Sequence, residues 1–488
     1  MDNLIDECGI IGSVSFKGEN VFPYIYWGLV ALNHRGQQSY GILSYEGEFK
    51  IRKGLGLISE LNIEHFKKLS GSIGIGHVRY ATSGKLDKFQ LLEDAQPYLI
   101  MKDGIRFAIA YNGNIVNVFL LRKKFSLMDV NFIGTSDTTL LAYEILEAYK
   151  KYGNLIESIK DVMKNVDGAY SVVGIIEGNL FAFRDPNGIR PLVLGYNDDV
   201  LMIASESVAL DINRIPFMGF VNPGELIIVD KDAKIRRYKL INNSGERLCA
   251  FEYAYFSRPD SKLLEGKYIY QVRRELGRRL ARRYSEIASK VDIIVPVPQT
   301  AIDAAYGFHE ESKKPIEPII IRNRYITQRA FIMTPNDREL IISKKYNILL
   351  DSVGGLKVAL IDDSIVRGDT LKRIVYCLRQ AGVKEIHIFS TFPKIIAPCF
   401  YGIDMATFHE LIGFNKDEKE IASLLGADSV NYQTIEDFYH AVGNKSLCLA
   451  CVTMKYPTSY AQKIAEKAYL EASKGYMIHG RIIENVGE

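Results

Sequence analysis

Two short stretches of this chain gather side chains that could do chemistry. The first is Asp362-Asp363-Ser364-Ile365-Val366-Arg367-Gly368-Asp369-Thr370. Adjacent carboxylates can accept hydrogen bonds from vicinal hydroxyls, Gly368 lets the backbone approach a phosphate, and the Ser364 and Thr370 hydroxyls can reach the same group. The second is Cys8, at the head of a glycine-punctuated apolar run from Gly9 to Phe16. A thiol attacks only as its thiolate, so Cys8 needs a base within reach. Each stretch also has a plainer reading: an Asp-rich turn capping a helix, and a small buried cysteine opening a strand.

The flanking residues say how these side chains must be held. Val358 to Ile361 is a continuous apolar run with β-branched members, the pattern of a parallel strand buried on both faces. After the turn, Leu371, Ile374, Val375 and Leu378 fall on one helical face, and Gly382 stands where a C-cap glycine would. Strand, polar turn and helix make half of a βαβ unit, in which ligands bind beyond the carboxyl ends of strands. Ile293 to Val297 is a second buried-strand run. In the front half, short strands such as Arg106 to Tyr111 and Ala169 to Ile176 alternate with helical runs near 21 to 36 and 138 to 152.

Composition bounds the answer. With 488 residues the chain exceeds one ordinary core, so two domains are expected. No apolar run is long enough to span a bilayer, and the acidic start Met-Asp-Asn-Leu-Ile-Asp-Glu is no secretory signal, so we expect a cytoplasmic protein without a membrane partner. A formal net charge of +3 argues neither for nor against nucleic acid. Six cysteines in that compartment point to packing, catalysis or metal rather than disulfides. Asn242 to Glu246 is polar and turn-rich and reads as a linker. A helix near 268 to 288 carries Arg273, Arg274, Arg278, Arg279, Arg282 and Arg283 opposite an apolar stripe, most simply a solvated face, with a polyanion-binding helix as the alternative.

The string from Val358 to Thr370 resembles the phosphoribosyl pyrophosphate (PRPP) signature of type I phosphoribosyltransferases. That resemblance implies that Asp362 and Asp363 hold the ribose hydroxyls, with magnesium nearby, and that Ile365, Val366, Arg367, Gly368, Asp369 and Thr370, with Ser364, wrap the 5′-phosphate. Leu32 to Gln37, Gly76 to Thr82, Tyr111-Asn112-Gly113-Asn114 and Thr135 to Thr138 occur in an order resembling class II glutamine amidotransferases. Those are N-terminal nucleophile hydrolases, an αββα sandwich. The implied roles are nucleophile for Cys8 once Met1 to Glu7 is removed as a propeptide, oxyanion donors for Asn112 and Gly113, and grips on the glutamine carboxylate and amine for Arg79 and Asp137. A freed Cys8 α-amine, with a reference pKa of ~8, would serve as the base.

In this order the two halves resemble the PRPP amidotransferase family. Expected domains are a propeptide over 1–7, an amidotransferase domain over 8–240, a linker over 241–261, a phosphoribosyltransferase domain with a parallel sheet over 262–457, and a helical tail over 458–488. In a subgroup of that family, positions matching Cys249, Cys399, Cys448 and Cys451 bind a [4Fe-4S] cluster; by chemistry alone four thiolates equally suit zinc. Family members form homo-oligomers, dimers or tetramers, and are inhibited by purine nucleotides. The chain departs from the family at Tyr111 (usually His), Thr139 (usually Glu), Gln299-Thr300 (usually Asp-Ser) and in the spacing of basic residues after Arg322-Asn323-Arg324-Tyr325, at Arg329, Arg338, Lys344 and Lys345. These departures keep two other readings open: a paralogue with altered or ammonia-dependent activity, and an RNA-binding regulator on a phosphoribosyltransferase fold.

Overall fold

The structure is a computed structural model and describes residues 8–61, 68–80, 88–128, 136–230, 232, 234–242, 245–264, 266–323, 346–349, 351 and 353–476. The expected propeptide, most of the basic segment after Arg322, and Asn243 and Ser244 of the linker lie outside these residues.

Among the described residues, thirteen strands build the front half. β1 (Gly9–Ser15), β2 (Ser39–Tyr45), β3 (Phe49–Leu55), β4 (Ile73–Arg79), β9 (Val193–Tyr196), β10 (Val200–Ala204) and β11 (Phe217–Phe220) form one antiparallel sheet. β5 (Tyr98–Lys102), β6 (Ile105–Ile115), β7 (Gly168–Ile176), β8 (Asn179–Arg184), β12 (Glu225–Val229) and β13 (Ile235–Lys239) form the other. Period-two alternation decides which side chain faces which layer. On β6, Ala108 and Ala110 join Ile10, Val14 and Ile75 between the sheets. Phe107, Ile109 and Tyr111 instead face Leu141, Ile145 and Ile159 of the helices Asp137–Tyr152 and Leu155–Asn165. The helix Phe22–Ala31 covers the far side of the first sheet. The result is the expected αββα sandwich.

The back half is a four-stranded parallel sheet in the order Ile293–Pro296, Lys357–Asp362, Glu385–Ser390, Ser429–Tyr432. The helix Asp369–Gln380 follows the central strand and buries Leu371, Ile374, Val375 and Leu378. Gly382, at φ 80°, stands just past its end, because the chain there needs a left-handed turn.

The arginine-bearing helix ends at Arg283, and a second short helix, Ser285–Lys290, follows. The expected solvated face needs correction at one position. Arg273 is fully buried and donates to the carbonyls of Tyr253, Tyr255 and Ser257 at 3.0, 3.1 and 2.7 Å. The other five are paired: Arg274 and Arg278 with Glu310, Arg282 with Glu311, Arg279 and Arg283 with Asp437. A face whose cations already have carboxylate partners has little surplus charge to offer a polyanion. No described helix is long and apolar enough to cross a membrane.

Candidate active sites

Cys8 sits immediately before β1, where Gly9 pairs with Val78. Its sulfur lies 3.6 Å from the Tyr80 carbonyl, and its own carbonyl accepts from Arg35 Nε at 3.2 Å. Loss of water raises the thiol above its usual pKa, while Arg79 and Arg35 pull it down. The sulfur therefore rests as a thiol until a base takes its proton. Arg79, Arg35 and Asp137 all lie close enough to influence its charge.

The remaining amidotransferase candidates come from two strands and a helix start. Arg79 ends β4, is buried, and lies 3.6 Å from Asp94, which also accepts from the Ser136 backbone at 3.3 Å. Asp137 opens its helix, and its Oδ2 accepts from the Tyr111 hydroxyl at 2.7 Å and from Ile115 N–H at 3.2 Å. Asn112, one residue on from Tyr111, faces the opposite side of β6. It is buried, and among the described residues its Nδ2 has no hydrogen-bond partner. A buried amide donor left without a partner is costly unless something else accepts its hydrogens, as an oxyanion would. Gly113 follows at φ 152°, and a Cβ there would lie 2.7 Å from the Ala169 carbonyl carbon, so only glycine fits. Thr139 hydrogen-bonds Tyr98.

At the second site Asp362 ends the central parallel strand and Asp363 follows it, both buried. Asp362 Oδ1 accepts from Asp363 N–H at 2.9 Å. Asp363 accepts from Ser364 Oγ at 2.8 Å and from the Thr300 hydroxyl of the neighbouring turn. Burial raises the Asp363 carboxyl above its usual range, opposed by those two hydroxyls and by the buried Arg273. Gly368 has φ 87°, and a Cβ there would strike Ile412 and Leu425 at 2.7 and 2.9 Å. Ile365, Val366 and Thr370 are buried, and Asp369 begins the following helix. Arg367 is held by Glu410, its Nε donating at 2.9 Å, while Ile412 N–H donates to the Val366 carbonyl at 2.8 Å. The segment around Glu410 thus backs the turn from behind.

Cys249 and Cys448 are register partners on two short parallel strands, Leu248–Cys249 and Leu447–Cys448. Cys451 lies one turn on, its carbonyl accepting from Ile396 and Ala397 at 2.9 and 3.0 Å, and the Cys399 sulfur accepts from Tyr401 N–H at 3.3 Å. All are free thiols. Burial pushes Cys249 up to about 11 and raises Cys448 and Cys451 as well, and in each case neighbouring cysteines of this set add to the rise. Among the described residues no group of three or more His, Cys, Asp or Glu is arranged to hold a metal ion as it stands. That holds both for these cysteines and for Asp362 with Asp363.

A model of the glutamine amidotransferase domain matches residues 84–211. Over 468 residues the chain is 39% identical to the amidophosphoribosyltransferase of Methanocaldococcus jannaschii, covering 92% of this chain and 98% of that one. It is 37% identical over 473 residues to that of Bacillus subtilis, covering 94% and 96%. The chain belongs to the amidophosphoribosyltransferase family. The solved structure of glutamine PRPP amidotransferase from B. subtilis, complexed with ADP and GMP, superposes with a TM-score of 0.83 at 36% identity, over 93% of this chain and 98% of that one. The sandwich followed by a parallel sheet is thus the architecture of an amidophosphoribosyltransferase.

Sequence reasoning missed what joins the two sites. Arg35, fully buried, donates from NH1 to Glu206 Oε1 at 2.6 Å and from NH2 to Glu252 Oε1 at 2.7 Å. Glu206 also accepts from His34, from Arg258 N–H and from Ser261 Oγ. Burial alone would raise the Glu206 carboxyl, but His34 and Arg35 beside it hold it well below the usual range. Glu252 opens a widened helical turn, Glu252–Phe256, whose carbonyls, with that of Ser257, Arg273 clasps. Glu206, flanked by the buried Ser205 and Ser207, is therefore a buried anchor between the halves. The turn after Asp185 has a similar use: Arg190 donates from Nε to the Tyr401 carbonyl at 2.9 Å, and Asn114 donates to the Phe400 carbonyl at 2.9 Å. No local pattern announces partners more than 200 residues away. The available signal was charge at positions otherwise apolar.

Proposed function

We propose that this chain makes 5-phosphoribosylamine from PRPP, glutamine and water, releasing glutamate and pyrophosphate, as the first committed step of purine synthesis. In this reading removal of Met1 to Glu7 frees the Cys8 α-amine, which takes the thiol proton. The thiolate attacks the glutamine amide carbon, and the oxyanion accepts from Asn112 Nδ2 and the Gly113 N–H. Collapse expels ammonia and leaves a thioester, which water opens through a second oxyanion to give glutamate. Arg79 pairs with the substrate carboxylate and Asp137 with its ammonium group.

At the other site the Asp362 and Asp363 carboxylates accept from the ribose hydroxyls, and residues 364 to 370 present backbone N–H groups and hydroxyls to the 5′-phosphate. Asp362 and Asp363 are also the candidates to hold Mg2+, which would neutralise charge on departing pyrophosphate. Ammonia attacks C1 as the C1–O bond breaks, so it must arrive before water does. The observation that carries this reading is that one buried ionic network runs from the Cys8 carbonyl through Arg35 and Glu252 to the turn clasped by Arg273, a neighbour of Asp363.

We assign a structural [4Fe-4S] cluster to Cys249, Cys399, Cys448 and Cys451 on the family resemblance. Cys249, Cys448 and Cys451 are buried and Cys399 half-buried, all four are free thiols, and each of the buried three is influenced by others of the set. Held there, the cluster would tie the linker to the C-terminal segment. We also infer inhibition by purine nucleotides and assembly into a homo-oligomer, and place the domain limits at 8–240 and 262–457.

The experiment is Cys8→Ala, assayed with glutamine and with ammonium chloride. Loss of glutamine-supported but not ammonia-supported phosphoribosylamine formation is expected; equal glutamine-supported rates would refute the reading. N-terminal sequencing tests removal of residues 1–7. Iron, sulfide and zinc analysis of the parent and of Cys451→Ser tests the cluster.

A further inference from the structure

Tyr111 stands where the family usually has histidine, and the structure gives its side chain a definite task. It is on β6, on the face turned toward the helices, while Asn112 faces the other way. Its hydroxyl donates to Asp137 Oδ2 at 2.7 Å, and Ile115 N–H donates to the same oxygen at 3.2 Å. Two donors converging on one oxygen fix the plane of that carboxylate.

The Tyr111 backbone is just as firmly held. β5 stops pairing with β6 at Ile109, so at Tyr111 only the β7 side of the strand is still laddered. The Tyr111 N–H donates to Gln96 Oε1 at 2.7 Å, and its carbonyl lies 3.2 Å from His77 Nε2. Burial, reinforced by Arg79, holds His77 neutral with a pKa of about 3, so the carbonyl fixes its proton on Nε2. Side chains from two other segments thus replace the missing strand.

Resting on the assignment of Asp137 to the glutamine α-amine, we infer that Tyr111 is a positioning residue that sets the orientation of Asp137 and thereby the selectivity for substrates carrying an α-ammonium group. The phenol has one proton to give and Asp137 Oδ2 accepts it, whereas a histidine at this position would change its protons across the neutral range.

The test is glutaminase kinetics on the mature enzyme with Tyr111→Phe, which keeps the ring and the backbone contacts that place Asn112. KM for glutamine should rise about tenfold, the loss expected for one hydrogen bond to a charged group, with kcat changed less than twofold. KM for 4-carbamoylbutanoate, which lacks the α-amine, should not move. An unchanged glutamine KM, or an equal rise for both substrates, overturns the inference. Tyr111→His should restore part of the affinity and introduce a pH dependence of KM between 6 and 8 that the parent lacks; a flat profile counts against it. Asp137→Asn separates the two levels of the argument. If it leaves glutamine KM unchanged, the amine-site assignment fails; if it raises KM while Tyr111→Phe does not, only the role of Tyr111 fails.

Discussion

Tight helix packing near the Asp362–Thr370 turn makes a prediction with a sign that local propensity alone would get wrong. The helices Ile269–Arg283 and Ile302–Ser312 cross at Gly277 and Gly307, each pressed on the backbone of the other helix. A Cβ at Gly307 would lie 2.7 Å from the Arg274 carbonyl carbon and 3.1 Å from its Cα, closer still to the carbonyl oxygen. Ordinary contact begins at 3.4 Å, so the helices must part by at least about 0.7 Å, and no side-chain rotation can relieve a clash with backbone. Overpacking of this kind costs about 3 kcal/mol. Replacing a mid-helix glycine by alanine returns about 1 kcal/mol, leaving a net loss of about 2 kcal/mol. The displaced helix begins just after Thr300, which donates to Asp363, so the shift should reach the second site. We expect Gly307→Ala to lower the urea midpoint of the back half and raise KM for PRPP several-fold with ammonium chloride as nitrogen donor. Glutamine hydrolysis by the front half is the internal control and should stay within twofold. A stabilised variant with unchanged PRPP KM would refute the reasoning.

Arg35→Met leaves Glu206 and Glu252 buried without their shared cation. It should cost about 3–5 kcal/mol in denaturant titration and lower glutaminase activity by freeing the Cys8 carbonyl, whereas a near-neutral change would show the network to be dispensable. Glu206 has a folded pKa below its unfolded value of ~4.3, so its contribution is present above about pH 4.5 and is lost as pH falls toward the folded value. Urea midpoints at pH 5.5 and 3.5 should drop more steeply for the parent than for Glu206→Gln. Asn114→Ala removes the bond to the Phe400 carbonyl and should lower glutamine-supported activity about tenfold while ammonia-supported activity changes less than twofold; equal losses would place the defect in folding.

Much of the fold was legible because its signals are local. The alternation of Phe107, Ile109 and Tyr111 with Ala108 and Ala110 assigns β6 to a strand with two dissimilar faces, and the run Val358 to Ile361 followed by a helical stripe assigns the central βα unit. Of the four cysteines that the resemblance groups, Cys249 and Cys448 stand in register across about 200 residues. What escaped was long-range charge pairing. Six arginines on one helix look alike in sequence, yet Arg273 alone is taken inward, because the Glu252–Phe256 turn presents carbonyls that a guanidinium fork can span. The partner of Arg367, Glu410, lies 43 residues on and was equally invisible to any local pattern.

These hidden pairs share a logic. The cysteine segment at 399 to 401 carries the two carbonyls that Asn114 and Arg190 grip, so whatever orders the thiols also orders the end of β6. From the other side, Arg35 fastens the Cys8 carbonyl to Glu252, only three residues past Cys249. The front half is thus pinned at Cys8 and just beyond Asn112 and Gly113 by residues lying after the sandwich. A sandwich folded alone would leave the guanidinium of Arg35 without the Glu252 carboxylate and Asn114 without the Phe400 carbonyl, which is a strong reason for Cys8 and the Asp362–Thr370 turn to share one polypeptide.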